Sequence, residues 1–127
     1  AVSGSAPIPP ELVQWYRALG LELLEGYGMS ENFAYSHVSK PNKTRVGYVG
    51  NTMPGVECRL SPQGEILVKS PGSMRGYHKE PELSKAAFTE DGFLQTGDRG
   101  EIDSESPTSV ELLVAALTTR KSNAEWF

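Results

Sequence analysis

The sequence predicts an α+β fold with a short βα segment, a small antiparallel and barrel-like β subdomain, and a C-terminal helix. Apolar residues recur at helical spacing early in the chain, and short apolar or alternating runs lie between glycines and prolines in its middle. A polar stretch then precedes a second amphipathic run near the end. These changes in composition and hydrophobic pattern predict three segments: 1–45, 46–103 and 104–127.

The first segment predicts a helix followed by a strand. Pro10 and Glu11 suit a first helical turn, and Gly20 suits the left-handed residue that ends a helix. Four apolar residues at i, i+3, i+4 and i+7 predict one buried stripe: Leu12, Trp15, Tyr16 and Leu19. Residues 21–24 then predict a strand, which the glycines of Gly26-Tyr27-Gly28 should end. A strand that ends at a glycine turn is where α/β folds place ligands.

The middle segment predicts a small antiparallel sheet. Residues 56–60 and 65–69 predict two strands joined by a turn at residues 62–64. Residues 81–88 predict a short helix, and residues 93–96 predict a strand that leads into Gly97-Asp98.

The last segment predicts a second helix, over residues 110–121, with Ser109 as its cap. One side of this helix would be apolar: Val110, Leu113, Val114 and Leu117. Such a side needs a partner. We expect that partner to be the chain's own β subdomain or a second copy, which would make a homodimer.

Composition excludes several classes of protein. The net charge is −4 and the densest basic stretch, residues 40–45, holds only three charges, which argues against nucleic-acid binding. We find no apolar run long enough for a transmembrane helix and no signal peptide in the first ten residues. Cys58, the one cysteine, excludes an internal disulfide, is predicted to be a small buried residue, and favours a reducing, cytoplasmic location. The two histidines and Cys58 lack zinc-ligand spacing.

Three segments carry candidate chemistry. Ser3-Gly4-Ser5-Ala6-Pro7 would let a flat ligand approach the backbone, although this segment taken alone is more typical of an ordinary loop before a helix. Glu25-Gly26-Tyr27-Gly28-Met29-Ser30-Glu31 offers an aromatic face, a hydroxyl for a phosphate and a carboxylate for Mg²⁺. Its alternative is a turn in which Ser30 caps a helix. Thr96-Gly97-Asp98 offers an acceptor for ribose hydroxyls, and its alternative is a solvated turn aspartate.

The order of these segments, with the motifs between them, resembles the adenylate-forming (AMP-binding) superfamily, and most of all its long-chain fatty acid–CoA ligases. The resemblance covers about residues 3–103. The motifs follow in this order: Ser3-Gly4-Ser5-Ala6-Pro7, Gly26-Tyr27-Gly28-Met29-Ser30-Glu31, Gly47-Tyr48-Val49-Gly50, Pro54-Gly55-Val56-Glu57, Gly64-Glu65-Ile66, Gly76-Tyr77, Pro81-Glu82, Asp91-Gly92-Phe93 and Thr96-Gly97-Asp98.

The resemblance implies ATP or AMP and Mg²⁺ as cofactors, and a fatty acid and CoA as substrates. It implies that an acid attacks the α-phosphate of ATP to give an acyl-adenylate, from which a thiol takes the acyl group. On that pattern Tyr27 lies on one face of adenine and Asp98 takes the ribose hydroxyls. Ser30 contacts phosphate, and Glu31 holds the metal. Small residues form the other face of adenine and border the acyl pocket: Gly4, Ser5 and Ala6, and Gly28 and Met29. Tyr35 and His37 are expected to pack.

The resemblance also implies an internal fragment that is inactive alone and that either keeps weak affinity for adenine nucleotides or binds none of the parent family's cofactors. The family's phosphate loop, a later arginine, and the small domain with its lysine have no match here, and residues 104–127 diverge. One alternative is a scaffold module that dimerises through the tail helix. Another is a subunit that rebuilds the enzyme with a separately encoded partner.

Overall fold

The computed structural model describes residues 1–6, 8–103 and 111–113. Its elements in chain order are β1 (Val2–Ser3), α1 (Pro10–Ala18), β2 (Leu24–Tyr27), a 3₁₀ turn (Ser30–Asn32), β3 (His37–Val38), β4 (Gly50–Thr52), β5 (Glu57–Leu60), β6 (Glu65–Lys69), α2 (Pro81–Ala86), β7 (Leu94–Arg99), β8 (Glu101–Asp103) and β9 (Glu111–Leu113). Mixed sheets and short helices make this an α+β fold, as predicted. Among the described residues we find no helix long and apolar enough to cross a membrane.

The larger sheet has six strands in the order β1-β2-β3-β4-β9-β8. The β1–β2 pair is parallel, and the other pairs are antiparallel. Tyr27 pairs with His37, and His37 pairs with Thr52. Since paired residues share a face of a sheet, these three side chains form one row across β2, β3 and β4.

The smaller sheet has three antiparallel strands in the order β5-β6-β7. Its Ile66 and Val68 are fully buried and form a core cluster with Val56. Residues of the larger sheet, including Tyr27 of β2 and Ile102 of β8, pack against that cluster. The core therefore lies between the two sheets. Within the described chain both sheets are open, without the ladder between them that a closed barrel requires, so the barrel-like part of the prediction is not confirmed.

Helix α1 buries a different side from the predicted one. Val13 is 1% exposed, whereas Leu12, Trp15 and Leu19 are 41%, 55% and 64% exposed. The helix meets the rest of the chain through Val13 and Arg17, whose guanidinium donates to the Thr44 carbonyl at 2.9 Å. The prediction that Trp15 lies in the core is therefore wrong, and Tyr16 is only half-buried.

Strand β2 starts later than predicted and runs through Gly26, which was expected to break it. It has hydrogen-bonded neighbours on both sides, β1 and β3. Leu24 and Glu25 pair with β1, whereas Gly26 and Tyr27 pair with β3, and this pairing with β3 keeps Gly26 and Tyr27 in the sheet.

The chain at Glu111–Leu113 forms strand β9 between β4 and β8, where the sequence predicted the first turn of a helix. The helix prediction is wrong at these residues, because pairing on both sides satisfies the backbone groups of an extended segment. The rest of the predicted helix, 114–121, lies outside the described residues.

Candidate functional site

The side chains of Tyr27 and Asp98 meet, although they are 71 residues apart in sequence. The Tyr27 hydroxyl donates a hydrogen bond to Oδ2 of Asp98 at 2.8 Å. Burial raises the pKa of Tyr27 far above its ordinary value, and the charge of Asp98 raises it further, while a hydrogen bond with Thr96 opposes both. The hydroxyl therefore stays protonated and acts as the donor. Two residues that belong to separate sequence motifs are thus in direct contact.

An irregularity in β7 presents Asp98. The three residues of β6 from Glu65 to Leu67 lie opposite the five residues of β7 from Gln95 to Arg99, so β7 carries two extra residues. Gly97 takes a φ of +74°, which suits a glycine, and its N–H donates to Oε1 of Glu65 at 2.9 Å. Bulges of this kind redirect side chains near functional sites. Asp98 is thus a half-buried residue within a strand, not a solvated turn aspartate.

Gly4, Ser5 and Ala6 run along the exposed end of β1, beside the strand that carries Tyr27. A Cβ on Gly4 would lie 3.4 Å from the carbonyl oxygen of Gly26, so the two backbones approach closely. Ser5 has a φ of +71°, which is uncommon for a residue with a side chain. Strained residues of this type occur often at ligand sites, and this strip is open to solvent.

A tight loop shapes the second half of the motif. A Cβ on Gly28 would lie 2.6 Å from Cα of Ala34, so the loop closes on itself at a position that only glycine tolerates. Met29 donates its N–H to Oδ1 of Asn32 at 3.0 Å, and its carbonyl accepts from the Ala34 N–H at 2.9 Å. Met29, and not Ser30, is the residue that caps the 3₁₀ turn. The hydroxyl of Ser30 is exposed, and Glu31 is half-buried.

Glu31 is held at two atoms. Its Oε1 accepts a hydrogen bond from the Tyr77 hydroxyl at 2.8 Å, and its carbonyl accepts from the Met74 N–H at 2.6 Å. In the described part of the chain, no group of three or more His, Cys, Asp or Glu residues could enclose a metal. Mg²⁺ commonly binds one or two carboxylates together with substrate phosphates and water, and a lone, accessible carboxylate fits that manner of binding.

His37 lies next to Tyr27, on the neighbouring strand β3. It is 1% exposed, and its ring centroid lies 5.9 Å from that of Tyr27. Its Nδ1 lies 2.8 Å from Oγ of Ser36, while its Nε2 has no hydrogen-bond partner among the described residues. Burial lowers the pKa of His37 to about 4, so the ring is neutral at pH 7. Sequence reasoning assigned His37 no contact with Tyr27, because only the strand register reveals it.

The predicted site residues form two connected clusters. The first contains Tyr27 and Asp98 with the strip of small residues at Gly4, Ser5 and Ala6. The second contains Ser30 and Glu31 with Tyr77, to which the sequence assigned no role. Gly28 and Met29 join the clusters along the chain. An aromatic ring with an acidic acceptor and a hydroxyl with a carboxylate could hold, in turn, a nucleoside and its phosphates.

Comparison with known proteins decides the family. The family model described as AMP-binding enzyme matches residues 1–78, more than half of the chain. The chain belongs to the AMP-binding family. It is similar to a putative fatty-acid–CoA ligase, fadD11, of Mycobacterium tuberculosis, with 41% identity over 98% of this chain and 23% of that protein. It is also similar to a malonate–CoA ligase of Arabidopsis thaliana, with 39% identity over 80% of this chain and 18% of that protein.

Solved structures agree. The ternary product complex of a malonyl-CoA ligase with methylmalonyl-CoA and AMP bound has a TM-score of 0.79 and 32% identity, over 94% of this chain and 27% of the other. ATP-bound MatB from Rhodopseudomonas palustris has a TM-score of 0.76 and 36% identity, over 89% of this chain and 24% of the other. The chain thus spans about a quarter of the length of such relatives. Because the fadD11 alignment covers 98% of the chain, it extends into residues 104–127, beyond the expected end of the resemblance at about residue 103.

Proposed function

We propose that these residues form the adenosine side of the active site of an acid–CoA ligase. In that reaction a carboxylate and ATP give an acyl-adenylate and pyrophosphate, and CoA then takes the acyl group with release of AMP. The observation that carries the proposal is the 2.8 Å hydrogen bond between Tyr27 and Asp98, which brings an aromatic ring and a ribose acceptor together.

Each residue has a role in this proposal. The ring of Tyr27 stacks on one face of adenine, with Gly4, Ser5 and Ala6 against the other face. Asp98 accepts hydrogen bonds from the ribose hydroxyls. One of its oxygens already accepts from Tyr27, and a carboxylate offers about four acceptor positions.

The second cluster faces the phosphates. The exposed hydroxyl of Ser30 donates to a phosphate oxygen, and Glu31 holds Mg²⁺ through a carboxylate oxygen. Mg²⁺, when bound, neutralises the charge that develops during transfer at the α-phosphate. Gly28 and Met29 border the acyl group. The contribution of these residues is positioning and charge neutralisation.

We expect no ligase activity from residues 1–127 alone, because the family's phosphate loop and lysine have no counterpart among them. Loss of even one group that neutralises the reacting charge typically costs ~10²–10³ in rate. Pyrophosphate release with ATP, a fatty acid and CoA should therefore stay at background. A fatty acid as the substrate and a cytoplasmic location both stay predictions.

Calorimetry tests the nucleoside site directly. AMP and a non-hydrolysable acyl-adenylate analogue should bind the chain, and dideoxy-AMP, which lacks both ribose hydroxyls, should bind more weakly. Asp98→Asn should weaken AMP binding roughly tenfold and remove the preference for AMP over dideoxy-AMP. Glu90→Gln, at an exposed acidic residue, is the matched control. No heat with either ligand at millimolar concentration would overturn the proposal.

The alternative scaffold function has less support. It depended on a tail helix that makes a dimer, and Glu111–Leu113 pair as a strand with β4 and β8. Sedimentation distinguishes the two functions, since a stable dimer that does not bind nucleotide would favour the scaffold.

A further inference from the structure

One short segment, residues 70–77, holds the loop that carries Glu31. We name this segment the strap. Its Met74 N–H donates to the Glu31 carbonyl at 2.6 Å, and its Tyr77 hydroxyl donates to Glu31 Oε1 at 2.8 Å. The backbone and the side chain of Glu31 are thus held by the same segment, 46 residues away in the case of Tyr77. The position of the carboxylate therefore depends on the strap.

The strap is tied to the same loop at its other end. Oγ of Ser70 donates to the Tyr35 carbonyl at 2.7 Å. Gly72 packs so closely that a Cβ there would lie 2.7 Å from the carbonyl oxygen of Asn32. Contacts to Glu31, Asn32 and Tyr35 hold the strap against the 3₁₀ turn (Ser30–Asn32).

The backbone of Tyr77 is fixed independently of its hydroxyl. Its N–H donates to Oγ of Ser84 at 2.7 Å, and Oγ of Ser84 donates to the carbonyl of Glu80 at 2.6 Å. Ser84 lies on α2 and thus anchors the end of the strap to a helix. The Tyr77 hydroxyl reaches Glu31 from a fixed base, so its hydrogen bond selects one orientation of a flexible carboxylate.

We propose that Tyr77 is the positioning residue of the Glu31 carboxylate. Its hydroxyl donates a hydrogen bond to Oε1 of Glu31. This bond orients the carboxylate so that the remaining acceptor positions of Glu31 would face Mg²⁺ and the nucleotide phosphates. This proposal rests on the proposed function, in which Glu31 holds Mg²⁺. Hydrogen bonds that orient a metal ligand typically change metal affinity 10–100-fold when they are lost.

The test uses the full chain and two measurements. In the first, calorimetry measures the affinity for ATP at a series of Mg²⁺ concentrations. The result is the Mg²⁺ concentration that gives half of the maximal increase in ATP affinity. Tyr77→Phe should raise that concentration about tenfold. In the second, AMP is titrated in EDTA, and its affinity should change less than about twofold, since the Tyr77 hydroxyl donates to Glu31, on the phosphate side of the proposed site. A purely structural role would weaken both.

Two further variants complete the design. Tyr35→Phe is the matched control, because the Tyr35 hydroxyl donates to the Pro54 carbonyl at 3.2 Å and not to Glu31; it should leave both measurements unchanged. Ser84→Ala loosens the base of Tyr77 and should shift the Mg²⁺ dependence in the same direction by a smaller factor. This variant keeps the test decisive if Tyr77→Phe folds poorly.

The possible outcomes separate the two proposals. If Glu31→Gln removes the Mg²⁺ dependence and Tyr77→Phe leaves it unchanged, the role of Tyr77 is wrong and the proposed function stands. If Glu31→Gln also leaves it unchanged, or the wild-type chain shows no Mg²⁺ dependence, the roles of Tyr77 and of Glu31 are both wrong, and only AMP binding that Asp98→Asn weakens would keep the adenosine site. Equal losses of AMP and Mg²⁺-dependent ATP binding in Tyr77→Phe would reduce Tyr77 to a structural residue.

Discussion

The hydroxyl of Tyr27 donates a 2.8 Å hydrogen bond to Oδ2 of Asp98 and so joins the six-stranded sheet to the three-stranded sheet. Tyr27 lies at the end of β2, and Asp98 lies at the irregular part of β7. The bond fixes the tilt of the ring and the orientation of the carboxylate together. Substitution of either residue should therefore change the orientation of the other side chain.

Removal of the Tyr27 hydroxyl should destabilise the fold while leaving the aromatic face in place. Tyr27→Phe should lower the free energy of unfolding by about 1.5 kcal/mol, the usual contribution of a hydrogen bond to a charged group. Urea unfolding measures this change. Tyr16→Phe, on α1, serves as the control. Equal stability of the wild type and Tyr27→Phe would show that the bond contributes nothing.

Local structure could be predicted well where turns and apolar runs lie side by side. Strand β6 has the predicted bounds, residues 65–69, because Gly64 starts a buried apolar run and Lys69 ends it. Helix α2 falls within the predicted residues 81–88, since Pro81 fits its first turn. The motifs and the family resemblance also select Tyr27, Glu31 and Asp98 as site residues, and these roles stay predictions.

Relationships between distant residues could not be predicted. The pairing of Tyr77 with Glu31 spans 46 residues and leaves no periodic signal. The apolar stripe of α1 has the right spacing for burial, yet Trp15 is 55% exposed, because spacing identifies a stripe and not the surface that covers it. Strand β2 passes through Gly26 because Gly26 pairs with Val38 of β3, a partner that lies 12 residues further along the chain.

The loop that carries Ser30 and Glu31 should not tolerate a side chain at residue 28. Gly28→Ala would place a Cβ 2.6 Å from Cα of Ala34 and should cost about 2 kcal/mol of stability and weaken Mg²⁺-dependent ATP binding. Gly64→Ala is the control: its φ is +80° and nothing lies within 4 Å of the added Cβ, so only about 1 kcal/mol should be lost. The measurements are urea unfolding and calorimetry. If both variants bind ATP equally well, the close contact at Gly28 does not shape the site.

Helix α1 should contribute to stability through Val13 and not through its apolar stripe. Val13→Ala, at a residue 1% exposed, should cost roughly 2 kcal/mol. Trp15→Ala should cost less than about 1 kcal/mol, because Trp15 contacts Tyr16 edge to face and is otherwise largely exposed. Chemical unfolding of the two variants shows which one loses more of the free energy of unfolding. A larger loss in Trp15→Ala would place the stripe in the core after all.

Acid should destabilise the fold through His37. Burial lowers the pKa of His37 from 6.5 to about 4, so the unfolded chain binds a proton on this ring between those pH values and the folded chain does not. The stability that depends on the neutral ring is complete above pH 6.5 and is lost as the pH falls, by about 3 kcal/mol at pH 4.

The contribution of His37 can be separated from that of the carboxylates by substitution. His37→Phe keeps an aromatic ring beside Tyr27 that takes no proton, so the free energy of unfolding of this variant, measured with urea, should decrease less steeply as the pH falls. The difference between wild type and His37→Phe should appear between pH 6.5 and pH 4 and be flat above pH 7. Parallel curves for the wild type and His37→Phe would mean that the folded chain protonates His37 as readily as the unfolded chain does.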